Sequence, residues 1–195
     1  MSTPPTEEHG RDGFCERLQR GNDAWASAYR RPEVNGSAKA VVLTCMDSRI
    51  PPLEMLGLAP GEAFIIRNAG NSVTDDALRS LIVCLTAMEC RKVLVVGHTC
   101  CGMRCPGDLD RRVSEAVDVE GLSAGLGRSI EDLGDWLGFH HVPEWEWAER
   151  QADRLRDLLP RILPGLPVRV FTALYDLDSG RVRFAQPSQK RNMRA

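Results

Sequence analysis

The stretch at residues 92–103, KVLVVGHTCCGM, decides the fold that we predict for this chain. Its first six residues form a β-branched run without polar alternation, which is typical of a strand covered on both faces of a parallel sheet. A polar, glycine-containing turn follows it. Two further runs, residues 38–45 (AKAVVLTC) and 63–67 (AFIIR), have the same pattern and also end in polar turns. We therefore expect three buried strands with polar loops at their carboxyl ends.

Helical patterns and a hairpin complete the predicted architecture. Residues 73–90 and 144–163 repeat apolar side chains at steps of three and four, which predicts two amphipathic helices. Residues 167–185 predict two strands in a hairpin. The order of elements predicts an α/β fold: a mainly parallel, four-stranded central sheet with an antiparallel edge strand, flanked by helices. Ligands of such sheets bind at the carboxyl ends of the strands.

The length favours a single domain spanning residues 1–195, with two additions. Residues 13–30 place large apolar side chains among charges, so residues 1–30 are predicted to be an N-terminal helical arm that packs on the domain or on a partner. Residues 106–142 are acidic and rich in glycine, and they are predicted to be a variable, weakly helical insertion.

Charge and hydrophobicity exclude several kinds of partner. With 25 Lys and Arg against 27 Asp and Glu, the net charge of −2 gives no basic field, so we expect no nucleic-acid partner. No apolar run approaches the ~20 residues of a bilayer span, so we expect no membrane partner. The first twelve residues lack the basic and apolar regions of a secretion signal, which predicts a cytoplasmic protein.

The chain has seven cysteines, and in a reducing compartment their thiols stay unbridged. Cys84 and Cys90 lie in an apolar helical stretch and are interpreted as core or surface residues, as is Cys15. Cys45 ends the first predicted strand, and three more cysteines follow the third, so these thiols need a separate explanation: Cys45, Cys100, Cys101 and Cys105.

Cys45, His98 and Cys101 form a three-ligand set if the first and third strands are neighbours. Two thiolates and one imidazole with an open fourth position are a known catalytic zinc arrangement, whereas structural zinc sites close with four protein ligands. The three-residue step from His98 to Cys101 lets both side chains face one way at the start of a helix, whose dipole favours a thiolate. Zinc would lower the pKa of its bound water to about 7 and provide a hydroxide nucleophile.

Asp47 and Arg49 follow the first candidate ligand by two and four residues. A carboxylate paired with a guanidinium stays ionised in one orientation, so Asp47 can accept the proton of a zinc-bound hydroxide, or bind the metal when no substrate is present. The alternative is a surface salt bridge without function. The position of the pair, between a candidate ligand and a Pro-Pro turn, favours the catalytic interpretation.

Three segments resemble the signature sequences of the β-class carbonic anhydrases, in the same order and at similar separations. They are residues 45–49 (CMDSR), 67–71 (RNAGN) and 98–103 (HTCCGM). The resemblance implies a Rossmann-like sheet, a homodimer or homotetramer, and reversible hydration of carbon dioxide to bicarbonate as the activity.

The resemblance also assigns roles to individual residues. Zn²⁺ is expected on Cys45, His98 and Cys101, and Asp47 and Arg49 are expected to act as the catalytic pair. The pocket around them is expected to include three further residues, Gly70, Asn71 and Gly102.

Two departures from the family keep alternatives open. Many relatives carry a Gln shortly before the first ligand strand, and residues 35–38 offer none; a less polar pocket suits a carbonyl sulfide or carbon disulfide hydrolase, which shares this fold and ligand set. Cys100 stands beside a predicted ligand, where many relatives have another residue. If Cys100 or Cys105 closed the fourth position, the chain would be a non-catalytic zinc-binding or thiol-regulated protein.

Other conspicuous side chains receive structural interpretations. Consecutive side chains diverge in regular elements, so His140 and His141 are interpreted as structural or exposed residues rather than metal ligands. Trp136, Trp145 and Trp147 are interpreted as packing or dimer-contact residues.

Overall fold

The computed structural model of the chain describes residues 13–31, 40–104 and 107–185. The chain divides into two compact units, Met1–Glu33 and Val34–Ala195. In the first unit, helix α1 (Gly13–Ala28) agrees with the predicted helical character of this stretch, and none of its residues is buried. Residues 1–12 of the predicted arm lie outside the described residues. None of the helices in the described ranges is long and apolar enough to span a bilayer.

The second unit is built on a five-stranded sheet. Its strands are β1 (Ala40–Cys45), β2 (Phe64–Asn68), β3 (Lys92–His98), β4 (Arg169–Tyr175) and β5 (Val182–Phe184). Their spatial order is β2-β1-β3-β4-β5; the first four are parallel, and β5 pairs antiparallel with β4 at the edge. The predicted fold class, a four-stranded parallel sheet with an antiparallel edge strand, is confirmed.

The described residues of this unit also contain five α-helices. They are α2 (Asp75–Thr86), α3 (Asp108–Ala116), α4 (Val119–Leu126), α5 (Leu133–Leu137) and α6 (Glu144–Ile162). Of these, α2 and α6 contact the strands. Helix α2 is shorter than predicted: the Thr74 hydroxyl caps its start by accepting from the Ala77 N–H, and the chain turns beyond its end through Glu89, whose φ is 53°. The weakly helical character predicted for the insertion corresponds to α3, α4 and α5.

The core covers both faces of the sheet, as the apolar runs predict. Val41 and Leu43 of β1 pack with α2 and α6, while Val42 belongs to a second cluster on the opposite side. Full burial of each such side chain contributes roughly 1.5–3 kcal/mol, which explains why the central strands carry uninterrupted apolar runs. Cys84 and Cys90, interpreted from the sequence as core or surface residues, are buried in the first cluster.

Helix α6 approaches the carboxyl end of β3 closely. A Cβ atom on Gly97 would lie 3.0 Å from the backbone oxygen of Glu144 and 3.1 Å from the Cβ atom of Ala148. Only glycine therefore allows the helix this near to the strand. Since His98 is the next residue, α6 lies beside a candidate metal ligand.

We expect the substitution Gly97→Ala to lower the free energy of unfolding by about 1–3 kcal/mol, because the added methyl group forces the helix and strand apart. Chemical denaturation measures the change. The control is Gly125→Ala in α4, where an added Cβ meets nothing within 4 Å and alanine favours the helix. If Gly97→Ala were as stable as the unaltered chain, the close approach of α6 would be contradicted.

Candidate metal centre

Adjacent strands bring the three predicted ligands together at the carboxyl edge of the sheet. Cys45 is the last residue of β1, His98 is the last residue of the neighbouring β3, and Cys101 lies in the turn that follows. The two sulfur atoms and a ring nitrogen all lie within 4.8 Å of one another. All three side chains are buried, at 4%, 1% and 8% exposure. Within the described ranges this is the one group of three or more potential metal donors.

The prediction that His98 and Cys101 lie at the start of a helix is wrong. Residues 99–104 form turns, and the next helix of the described chain, α3, begins at Asp108. A helix dipole therefore does not act on the Cys101 thiol, because that effect is confined to the first turn of a helix.

Close contacts within the cluster control the ionisation of the thiols instead. A hydrogen bond from the Cys101 thiol, together with the backbone N–H groups of Asp47 and Gly70, lowers the pKa of the Cys45 thiol in spite of its burial. The same contact, together with burial, raises the pKa of Cys101. The two sulfurs therefore share one hydrogen bond, and ionisation of one thiol opposes ionisation of the other.

The histidine is held in the tautomer that a metal requires. Its Nδ1 lies 3.0 Å from the Thr99 carbonyl oxygen, which fixes the ring proton on that nitrogen. Its Nε2 is buried and finds no hydrogen-bond partner in the described part of the chain. Two sulfurs and one unpartnered imidazole nitrogen are the donor set that zinc prefers, so the residues present fit a zinc ion.

Asp47 and Arg49 form a bidentate pair next to the cluster. Arg49 donates from Nε to Oδ1 at 2.9 Å and from Nη2 to Oδ2 at 2.6 Å, and its backbone N–H donates to Oδ1 at 3.0 Å. This guanidinium holds the pKa of the Asp47 carboxyl well below its usual range. Arg49 Nη2 also donates to the Cys100 carbonyl oxygen at 3.3 Å. The pair therefore connects the loop after β1 to the turn after β3, here called the ligand turn, and is not an isolated surface pair.

Arg67 is a contributor to the site whose role the sequence did not reveal. Its Nε donates to the Cys45 carbonyl oxygen at 3.0 Å, and its Nη2 donates to the Asp47 carbonyl oxygen at 2.6 Å. One side chain from β2 therefore fixes the backbone on both sides of Met46. The signature segment at residues 67–71 includes Arg67, but its two hydrogen bonds depend on the pairing of β2 with β1, where Arg67 lies beside Thr44.

The segment that matches a known protein family contains all three candidate metal ligands. A carbonic anhydrase family profile matches residues 40–116. Over almost its full length the chain is similar to "Carbon disulfide hydrolase" of Saccharolobus solfataricus, with 35% identity across 90% of this chain and 89% of that protein. The chain belongs to the β-class carbonic anhydrase family.

Two further relatives are carbonic anhydrases by name. "Beta-carbonic anhydrase 1" of Mycobacterium tuberculosis is 40% identical over 83 residues, which are 42% of this chain and 51% of that protein. The crystal structure of carbonic anhydrase from Streptococcus mutans superposes with a TM-score of 0.62 at 29% identity, covering 89% of this chain and 98% of the other.

The expected pocket residues of this β-class carbonic anhydrase fold differ in their surroundings. Gly70 is buried with φ of 68°, and a Cβ there would lie 3.3 Å from the Met103 side chain, so glycine is required. Asn71 is 2% exposed with φ of 49°, and its Nδ2 has no partner among the described residues. Gly102 is exposed and meets only Leu109 within 4 Å of an added Cβ.

The structure describes only one of the two departures from the family pattern, the cysteine at position 100. Cys100 is exposed, has φ of 55° and is not part of the donor group. Cys105 and residues 35–38 lie outside the described residues. The described site therefore has three protein donors, which is the number found in catalytic zinc sites.

His140 and Trp147 pack against each other near the metal centre, in agreement with their structural interpretation from the sequence. Their rings stack at 4.3 Å with an interplanar angle of 9°. Burial lowers the pKa of His140, opposed by the Val142 carbonyl and Glu144, while Arg104 and His141 lower it further. His140 is therefore a neutral structural residue at neutral pH.

The neutral state of His140 makes stability depend on pH. The unfolded chain binds this proton near the ordinary pKa of about 6.5, whereas the folded chain binds it only at lower pH. The free energy of unfolding of the metal-free protein should therefore fall as the pH drops below about 6.5. Denaturation at pH 5 and 7.5 tests this: His140→Phe, which keeps the ring stack, should lose this part of the pH dependence, and His141→Gln should keep it. An unchanged pH dependence in His140→Phe would contradict the assignment.

Proposed function

We propose that this chain is a zinc enzyme that catalyses the reversible hydration of carbon dioxide to bicarbonate. The observation that carries the proposal is the juxtaposition, at one sheet edge, of a three-donor cluster and an ionised carboxylate. The residues are Cys45, His98 and Cys101 as metal ligands, and Asp47 and Arg49 as the catalytic pair. Zinc held by these two cysteines and one histidine would supply an activated water nucleophile at neutral pH.

Asp47 is the residue that orients this nucleophile. An ionised carboxylate has about four acceptor positions. Arg49 fills two of them on Oδ1, through its backbone N–H and Nε, and one on Oδ2, through Nη2. The remaining lone pair, on Oδ2, would accept a hydrogen bond from the water nucleophile and so orient it. Because its pKa is held low, Asp47 accepts this bond without becoming protonated.

Hydrolysis of carbonyl sulfide or carbon disulfide is a second candidate for the same site. The observation that favours it is the near full-length similarity to "Carbon disulfide hydrolase" of Saccharolobus solfataricus. The chemistry of the residues is the same for both candidates, since each substrate is a linear molecule with an electrophilic carbon. The products differ, because only the sulfur-containing substrates release sulfide.

The experiment that tests the proposal compares both substrates on one zinc-loaded preparation. Stopped-flow mixing with carbon dioxide and a pH indicator should show proton release far above the buffer background. Rates at the background would refute carbon dioxide hydration. Sulfide release from carbonyl sulfide or carbon disulfide, measured on the same protein, would then identify the second candidate. Absence of both activities would favour a non-catalytic zinc protein, and a metal-edge absorption spectrum with three sulfurs and one nitrogen would support that outcome.

We also propose that the protein is a cytoplasmic homodimer or homotetramer that acts on small molecules and binds neither nucleic acid nor membranes. Large apolar side chains of α1, Phe14, Leu18 and Trp25, are 49–61% exposed, which is typical of surfaces covered by a partner. Thiols that are not bridged stay reduced most readily in a reducing compartment, which favours the cytoplasm. Light scattering on the purified protein measures the mass and therefore the number of subunits.

A further inference from the structure

Residues 138–151, here called the brace, run past the metal centre and include the first turns of α6. The brace is bonded to the turn that carries Cys101. The backbone N–H of His140 donates to the Met103 carbonyl oxygen at 3.0 Å. Glu144 forms an ion pair with Arg104 at 3.2 Å. The ligand turn is therefore held from the outside by two bonds from the brace.

The brace also holds the loop at residues 69–73. The indole Nε1 of Trp147 donates to the Gly70 carbonyl oxygen at 2.8 Å, and the Gln151 side-chain oxygen accepts from the Val73 N–H at 2.8 Å. The Trp147 ring is itself fixed, because it stacks on His140. The brace thus connects the loop after β2 to the turn after β3 through rigid contacts.

The bond from Trp147 acts on a strained piece of backbone. Gly70 and Asn71 both adopt positive φ, 68° and 49°, and a non-glycine residue in that region persists only when its surroundings hold it. Ala69 packs against the cluster of buried residues that contains Cys45, and the Gly70 N–H is a hydrogen-bond partner of the Cys45 sulfur. A shift of this peptide would therefore move a hydrogen-bond donor away from the sulfur.

We propose that Trp147 is a positioning residue of the metal centre: its indole N–H fixes the Gly70 carbonyl and so keeps the residue 69–73 loop against Cys45. The role rests on the proposed function, because it assumes that Cys45 is a zinc ligand. Trp147 touches neither the metal donors nor the substrate in this assignment. It acts as an outer hydrogen-bond partner, and loss of such partners typically weakens metal binding by about 10–100-fold.

The test compares Trp147→Phe with Trp145→Phe in the full-length protein. The first variant keeps an aromatic ring against His140 but removes the N–H donor. The second alters a half-buried tryptophan of the same helix whose indole makes no hydrogen bond within the described residues. Zinc affinity is measured by competition with a chromophoric chelator, and the geometry of the donors by the absorption bands of the cobalt-substituted protein. Hydrogen exchange of residues 68–73 is followed in the metal-free protein.

We expect Trp147→Phe to lower zinc affinity by about 10–100-fold, to shift the cobalt bands and to speed exchange in residues 68–73, while Trp145→Phe changes none of these. A variant that merely lost stability would unfold more easily yet keep the affinity, the cobalt spectrum and the local exchange, and that result would overturn the proposal. If Trp147→Phe fails to fold, benzothienylalanine at position 147 replaces the N–H by sulfur in a ring of the same size, with the same expectations. Wild-type protein that binds zinc but hydrates no carbon dioxide refutes the proposed function alone, because the exchange and affinity comparisons stand without activity.

Discussion

Replacing Cys101 by alanine is expected to weaken zinc binding by more than about 100-fold, whereas Cys100→Ala retains most of the metal. The reason is the geometry of the turn. The Cys101 sulfur lies with Cys45 and His98 in the donor cluster, while the neighbouring Cys100 is exposed and outside it. Loss of an outer partner alone costs roughly 10–100-fold in affinity, so loss of a direct ligand exceeds that range.

The two cysteine variants are matched, because they remove the same atom from adjacent positions. Two measurements give the comparison. Elemental mass spectrometry measures the metal content after dialysis, and chelator competition measures the zinc affinity. Carbon dioxide hydration should disappear in Cys101→Ala and persist in Cys100→Ala. Equal metal loss in both variants would show that the wrong thiol has been assigned.

The variant Asp47→Asn is expected to lose about 10²–10⁴-fold in kcat/KM for carbon dioxide hydration while binding zinc normally. Asparagine keeps the size of the side chain but removes the charge, and its amide nitrogen cannot accept the hydrogen bond assigned to Oδ2. The stopped-flow assay gives the rate and chelator competition gives the affinity.

A suitable control is Asp76→Asn, which neutralises the carboxylate of another Asp–Arg pair, on the surface of α2. Because that pair is exposed on both sides, its loss should leave kcat/KM unchanged. If Asp47→Asn kept full activity, the pair with Arg49 would be an ordinary surface salt bridge. If it lost zinc together with activity, Asp47 would act as a metal ligand rather than as an acceptor for the nucleophile.

The sequence predicts most of the sheet and the meeting of the ligands, for a physical reason. Apolar runs without alternation predict strands buried on both faces, and parallel strands have their carboxyl ends at one edge. Cys45 and His98 each end such a run, so their convergence needs only that β1 and β3 be neighbours. The bounds of α2 were less predictable, because its apolar spacing continues past Thr86, where the backbone leaves the helix.

The contacts that refine the site could not be read from the sequence. Residue spacing alone does not distinguish the turn at Cys101 from the first residues of a helix. The two bonds from Arg67 to backbone carbonyls depend on strand register. The bond from Trp147 to Gly70 joins residues far apart in the chain, and only tertiary packing creates it.

The position of Cys45 at the end of β1 also ties metal uptake to the folding reaction. Cys45 pairs with Asn68 of β2, and a slip of β1 by one residue would place Thr44 there and turn each side chain to the opposite face. A chain with that error cannot assemble two sulfurs and an imidazole, so it cannot bind the ion in this way. The amount of zinc taken up during refolding would then measure the fraction of molecules whose strands have paired in the native register. The bound ion would stabilise those molecules relative to molecules with the wrong register.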